Sequence, residues 1–202
     1  MSHIILDKSK RGWWKSAVFY QIYPKSFQDT NGDGIGDLRG IINKLEYIRD
    51  LGINGIYMLP LFLSNSNHKY NTFDYDTIDP DFGTEEDMIE LVEKAHDRGM
   101  KIVLDAVFNH CSMQMRQFED VLEKGVESRF YQWFCIDGDY PDPKECNYEC
   151  FAACNYIPKL NTANEEVQEL SMMDADELEW VVAHDQRPKK SENEKSLEEK
   201  VV

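Results

Sequence analysis

Apolar and polar positions follow two different periods along the first half of the chain. Short apolar and β-branched runs at 17–23, 53–59 and 100–104 predict three strands. Apolar residues recur at every third or fourth position in 38–51 and 84–98, which predicts a helix in each segment. Because strands and helices alternate, the pattern predicts an α/β fold with a parallel sheet.

Capping residues mark the ends of both helices. Asp37 is the predicted N-cap of the first helix, and Gly52 stands at its C′ position. Thr84 is the predicted N-cap of the second helix, with Asp87 in a near capping box and Gly99 at the end. Both helices are therefore expected to fill the segments between the predicted strands.

The third predicted strand ends in polar side chains. Asp105, Asn109 and His110 follow the apolar run 100–104 directly. Ligands of parallel α/β folds bind at the carboxyl ends of strands, so these side chains predict a site. The alternative is that Asp105 caps a turn and His110 is an ordinary surface histidine, and this segment alone leaves both open.

Two segments depart from the alternation of strands and helices. Residues 62–83 form a polar, aromatic-rich stretch that is too long for a simple connection, and we predict a functional loop. Residues 111–156 lack a clear βα unit and are dense in aromatic side chains, which predicts an insertion after the third strand. A helix start is predicted near Asn164, and the charge-rich tail within 171–202 is expected to be disordered at its end.

Composition narrows the classes of function. A chain of 202 residues with 42% hydrophobic content can bury the core of one domain with a subdomain. A net charge of −16 would repel a phosphate backbone, so we expect no nucleic-acid partner. No segment has the length or apolarity of a signal peptide or a membrane span, so a soluble cytoplasmic protein is expected.

The loop QDTNGDGIGD carries oxygen donors at alternate positions. They follow the pattern D-x-N-x-D-G-x-x-D, at Asp29, Asn31, Asp33 and Asp37. Such donors suit Ca²⁺, with the Ile35 carbonyl as a fifth ligand. An EF-hand would need Glu where Gly40 stands, so we predict an EF-hand-like calcium loop in another fold. The alternative is a connection of Asx-turns without metal.

The five cysteines are predicted to be free thiols. Their number is odd, and no secretory signal accompanies them. The C-x₃-C-x₃-C spacing of Cys146, Cys150 and Cys154 matches neither zinc nor iron–sulfur motifs.

The stretch NHKYNTFDYDTIDPDFG, residues 67–83, combines tyrosines with Asp, Asn and His. Aromatic rings stack on the apolar faces of sugars, and the polar groups bind hydroxyls, so this loop has the chemistry of a sugar site. The alternative is a surface loop whose tyrosines pack on the edge of the fold.

Five ordered segments together resemble a known family. They are WWKSAVFYQIYPKSFQDTNGDGIGDLRGI, GINGIYMLP, HKYNTFDY, DAVFNH and IPKLNTANEEV. The chain resembles the N-terminal part of α-amylase family glycoside hydrolases over residues 13–170, especially the neopullulanase, cyclomaltodextrinase and oligo-1,6-glucosidase branch.

The resemblance implies a partial (β/α)₈ TIM barrel with a small inserted B domain. Residues 13–110 would supply barrel strands one to three, 111–156 the B domain and 157–170 the return to the barrel, and 171–202 lie outside the family pattern. It also implies that His110 and Tyr75 line the sugar subsite and that Asp105 braces it. Asn71 replaces an Asp that bonds a sugar hydroxyl in many relatives, and the calcium loop matches that of oligo-1,6-glucosidases.

The implied activity is hydrolysis of α-1,4 or α-1,6 bonds in maltodextrins by two carboxyl groups, with retention of configuration. In the family the nucleophile lies in a G-x-R-x-D segment on strand four, and the 202 residues contain no such segment. We therefore assign no catalytic residue and expect a truncated enzyme that is inactive alone. The alternatives are a non-catalytic sugar- or partner-binding remnant and one half of a split enzyme, completed by a complementary chain.

Overall fold

The computed structural model describes residues 13–170, and its centre is a parallel sheet. Its three strands lie in the order β1-β2-β5; they are β1 (Phe19–Ile22), β2 (Gly55–Met58) and β5 (Lys101–Leu104). Ile56 of β2 pairs with Tyr20 on one side and Ile102 on the other. The three predicted strands and their parallel arrangement are confirmed.

Two helices pack together against the sheet and bury the main apolar core, namely α1 (Leu38–Asp50) and α2 (Glu85–Asp97). The Asp37 side chain accepts the Gly40 N–H at 2.7 Å, which confirms it as the N-cap of α1. Thr84 and Asp87 form a reciprocal capping box at the start of α2. The helices therefore begin where their capping residues predicted.

The segment 62–83 differs from the predicted loop, because it contains an antiparallel hairpin. Its strands are β3 (Phe62–Ser64) and β4 (Thr72–Ile78), and the register shifts on both sides of Leu63. A strand of three residues with shifted pairing leaves no regular alternation in the sequence, so the hydrophobic pattern could not reveal it.

A second apolar cluster lies beyond β5. It joins helix α3 (Arg116–Lys124) to aromatic side chains of the predicted insertion; among these are Trp133, Phe134 and Tyr148. In this region isolated antiparallel bridges take the place of regular strands. Two of these bridges pair His110 with Lys159 and Ile136 with Tyr148. The sequence pattern did not predict α3.

Two close backbone approaches hold the loop between β1 and α1. A Cβ on Gly36 would lie 2.2 Å from the Pro24 carbonyl oxygen, and a Cβ on Gly40 would lie 2.2 Å from that of Gln28. Only glycine leaves room for these contacts, so the loop is fixed against the carboxyl end of β1.

A helix begins at residue 165, and Asn164 caps it by accepting the Glu166 N–H at 2.9 Å. Within residues 13–170, no helix is long and apolar enough to cross a membrane. The predicted disordered tail, 171–202, lies outside the described residues.

Candidate functional site

A hydrogen-bonded network lies where β2 and β5 end. The Asp105 N–H donates to the Met58 carbonyl at 2.9 Å, which continues the pairing of the two strands by one residue. The Asp105 carboxylate then accepts the Tyr70 hydroxyl at 2.7 Å. The strand end thus positions Asp105, and the loop between β3 and β4 brings Tyr70 to it.

Two tyrosine hydroxyls converge on the Asp105 carboxylate. Burial, aided by the hydrogen bond and the charge of Asp105, raises the pKa of Tyr57 to about 12. The same causes, in the same order, raise the pKa of Tyr70. Both hydroxyls therefore stay protonated at neutral pH and can donate to the carboxylate.

His110 is buried beside this network and uses both ring nitrogens. Nε2 lies 2.9 Å from the Tyr70 carbonyl oxygen, and Nδ1 lies 3.1 Å from the Asn109 side-chain nitrogen. A carbonyl can only accept, so we assign the proton to Nε2 and the acceptor role to Nδ1. Desolvation lowers the pKa of His110, and the hydrogen bond to Tyr70 opposes that shift. The ring of Phe151 stacks on the imidazole with centroids 4.4 Å apart.

Tyr75 is buried next to the network and is not open to solvent. Its side chain is almost fully buried, and its hydroxyl donates to the Val107 carbonyl at 2.6 Å and lies 3.2 Å from the His110 carbonyl oxygen. Tyr75 thus fixes the backbone that carries His110, and the predicted stacking on a sugar stays a prediction.

Asn71 is also buried and is engaged within its own loop. Its side-chain oxygen accepts the Ser64 hydroxyl at 2.9 Å, and its amide nitrogen donates to Asn65. The four predicted substrate-binding residues therefore come together near the carboxyl end of β5, where hydrogen bonds inside the protein hold them.

Lys69 is a positioning residue that the sequence did not reveal. It is 5% exposed and adopts a φ of 63°. Its ammonium pairs with Asp79 at 2.5 Å and donates to the Ser64 carbonyl at 3.3 Å. Because Lys69 directly precedes Tyr70, the buried ion pair holds the loop in the conformation that reaches Asp105 and His110.

The sequence pattern also did not identify three further residues of the site, namely Tyr57, Tyr70 and Phe151. The loop 67–83 was singled out for its aromatic and polar composition, which is the only signal that pointed to Tyr70. Phe151 lies 41 residues after His110, and no local pattern relates the two.

The predicted calcium loop is closed by Asx-turns. The Asp29 carboxylate accepts three backbone N–H groups, those of Asn31, Gly32 and Gly34, at 2.7 to 3.0 Å. These hydrogen bonds lower the pKa of Asp29. The Asp37 carboxylate is buried and accepts both the N–H and the hydroxyl of Thr30 at 2.8 Å.

The donor set of this loop fits a hard cation in its chemistry, since all its ligand atoms would be oxygens. Within residues 13–170, however, no three His, Cys, Asp or Glu side chains form a group that could hold a metal. The carboxylates alone therefore do not make a site here, and the Asn31 amide and the Ile35 carbonyl would have to contribute.

The network at the ends of β2 and β5 is typical of a ligand-binding β/α-barrel protein. Polar side chains meet at the carboxyl ends of parallel strands and are flanked by aromatic rings, as in the ligand sites of β/α barrels. The sequence profile of the family described as "Alpha amylase, catalytic domain" matches residues 21–182. The chain belongs to the α-amylase family, and its described residues form part of the family's (β/α)₈ barrel.

Curated relatives agree with this assignment. The chain is 46% identical over 175 residues to an intracellular maltogenic amylase of Bacillus subtilis, covering 77% of this chain and 29% of that protein. It is 44% identical over 182 residues to neopullulanase 2 of Thermoactinomyces vulgaris, covering 78% of this chain and 31% of that protein. The chain thus spans about 30% of the length of these relatives.

Solved structures share the fold. A debranching enzyme from Nostoc punctiforme superposes with a TM-score of 0.77 at 40% identity, over 84% of this chain and 41% of that one. A cyclic α-maltosyl-(1→6)-maltose hydrolase from Arthrobacter globiformis, in complex with maltose, gives a TM-score of 0.74 at 35% identity, over 84% and 44% of the two chains.

Proposed function

We propose that this chain carries part of the substrate-binding site of an α-glucan hydrolase that acts on maltodextrins. The observation that carries the proposal is the network of Asp105, Tyr70 and His110 at the carboxyl end of β5. Family membership supports it, because the matched relatives are named as amylases, cyclomaltodextrinases and neopullulanases. An intracellular location, as in the name of the Bacillus subtilis relative, is part of the proposal.

The chemistry of the network suits an uncharged, hydroxyl-rich ligand. Asp105 can accept hydrogen bonds from sugar hydroxyls. The ring of Tyr70 beside it and the ring of Phe151 on His110 provide apolar surface. In the described conformation both nitrogens of His110 are occupied. A direct bond from His110 to a sugar would therefore exchange the Tyr70 carbonyl or the Asn109 amide for a hydroxyl.

We expect no hydrolysis by the 202 residues alone. The family reaction uses a carboxylate nucleophile and a carboxylic acid with retention of configuration. The segment G-x-R-x-D, which carries the nucleophile in the family, does not occur in this sequence. Activity on α-1,4 or α-1,6 bonds is therefore proposed for a site completed by further residues.

Calorimetry with maltotriose tests the binding part of this proposal. We expect heat of binding with the wild-type chain and an affinity about tenfold lower (about 1.4 kcal/mol) with Asp105→Asn. Asp97→Asn, an exposed position at the end of α2, is the control and should bind like the wild type. Absence of binding to a chain that circular dichroism shows to be folded would refute the proposal.

A second proposal is binding without hydrolysis, with a complementary chain completing the barrel. It is supported by the described sheet, in which β1 and β5 are the edge strands. Edge strands present free N–H and C=O groups that can pair with another chain. Product analysis with maltotriose and pullulan tests both proposals, because turnover by the purified 202-residue chain, free of contaminating amylase, would contradict each of them.

We also propose a structural Ca²⁺ ion in the loop 28–37. Asp29, Asn31, Asp33 and Asp37 would supply side-chain oxygens and Ile35 its carbonyl. Bound there, the ion would supply positive charge that holds the loop between β1 and α1 together.

A further inference from the structure

Two thiols of the insertion lie in direct contact. The sulfur atoms of Cys146 and Cys150 are 2.6 Å apart, and both residues are partly buried. Both thiols also face the Tyr148 carbonyl oxygen, at 3.8 and 3.3 Å. The thiol of Cys154 instead contacts the Ala152 carbonyl at 3.7 Å, so the fold selects one pair from three equally spaced cysteines.

Backbone hydrogen bonds fix both members of this pair. The Cys146 N–H donates to the Asp142 carbonyl at 2.7 Å, which closes the turn before the pair. Cys150 forms an antiparallel bridge with Pro158, and the neighbouring Glu149 N–H donates to the Cys135 carbonyl at 2.9 Å. A disulfide requires a narrow range of backbone separation and orientation, and the fold already brings the two sulfurs to 2.6 Å.

We propose that Cys146 and Cys150 form a redox-active dithiol site whose co-reactant is a small-molecule disulfide. One protein thiolate attacks a sulfur of the reagent R–S–S–R, which forms a mixed disulfide and releases R–S⁻. The second protein thiolate then attacks the protein sulfur of that mixed disulfide and releases the other R–S⁻. The two protein thiols are oxidised to one disulfide, and R–S–S–R takes up their two protons and becomes two R–SH.

The position of the pair links it to the candidate site. Phe151 directly follows Cys150, and its ring stacks on His110. Its N–H donates to the Ile157 carbonyl at 3.0 Å, which holds the segment beside the site. Oxidation would therefore close a small ring next to the aromatic side chain that covers His110. The thiol chemistry of the pair does not depend on whether the candidate site binds a sugar.

The spacing of the cysteines supplies an internal control for the experiment. In an unfolded chain, the pairs 146–150 and 150–154 close loops of equal length at similar entropic cost, so both disulfides should form in similar amounts. In the folded chain only the first pair has its sulfurs in contact. Purified full chain is oxidised with glutathione disulfide, in buffer and in denaturant, then alkylated and mapped by peptide mass spectrometry. Mildly alkaline pH is used, because burial and the hydrogen bond to Cys146 raise the pKa of Cys150 to about 11.

We expect the folded chain to give roughly tenfold more of the 146–150 disulfide than of the 150–154 disulfide, against about equal amounts in denaturant. Cys154→Ser should leave the 146–150 yield unchanged, and Cys150→Ser should abolish it. Equal amounts of both disulfides in the folded chain, or mixed disulfides that never resolve, would overturn the proposal. The comparison of folded with denatured wild type needs no variant, so it stands even where a substitution impairs folding.

Discussion

The Tyr70 hydroxyl donates to the Asp105 carboxylate at 2.7 Å, across 35 residues of sequence. The same tyrosine offers its backbone carbonyl to His110. One residue of the loop between β3 and β4 thus holds the two polar groups that follow β5, which makes the loop and the strand end a single unit.

Tyr70→Phe should therefore destabilise the protein. The variant keeps the ring and the backbone carbonyl but removes a donor from a carboxylate, a loss of about 1.5–3 kcal/mol. Urea unfolding measures the change in the free energy of unfolding. Tyr47→Phe, on the exposed face of α1, is the control and should change it little. Equal stability of the two variants would show that the bond to Asp105 contributes nothing.

The lowered pKa of His110 predicts a loss of stability in mild acid. Because the neutral ring is favoured in the folded state, the unfolded state binds the proton more tightly. Above the unfolded-state pKa, about 6.5, His110 makes its full contribution to the free energy of unfolding. This contribution falls as the pH drops from there toward the folded-state pKa. A proton NMR titration, with His110→Gln to assign the resonance, should give a pKa below that of the free side chain. A value at or above it would contradict the burial of a neutral ring.

Lys69→Met should destabilise the protein strongly, because it leaves Asp79 buried without its partner. Removing one member of a buried ion pair costs about 3–5 kcal/mol. Lys94→Met removes a half-exposed partner of Glu90 on α2 and should cost no more than about 0.5 kcal/mol. Thermal and urea unfolding of both variants give the comparison. A similar small cost at both positions would mean that the Lys69 pair does not hold the loop.

Calcium should stabilise the chain if the loop 28–37 binds it. Free Ca²⁺ at 100 times its dissociation constant adds about 2.7 kcal/mol to the free energy of unfolding. The check is the melting temperature with Ca²⁺ and with a chelator, in the wild type and in Asp33→Asn. Asp97→Asn serves as the control of equal charge change and should keep the calcium response. A melting temperature that ignores Ca²⁺ would rule out the proposed ion.

The sequence by itself determined the three parallel strands, the two capped helices and the place of the candidate site after β5. These features rest on local rules, namely apolar periodicity and capping residues such as Asp37 and Thr84. Tertiary structure decided the contacts that make the site, including Tyr70 with Asp105 and Phe151 with His110. Such pairs join residues tens of positions apart, and no periodic signal in the chain records which side chains the fold brings together.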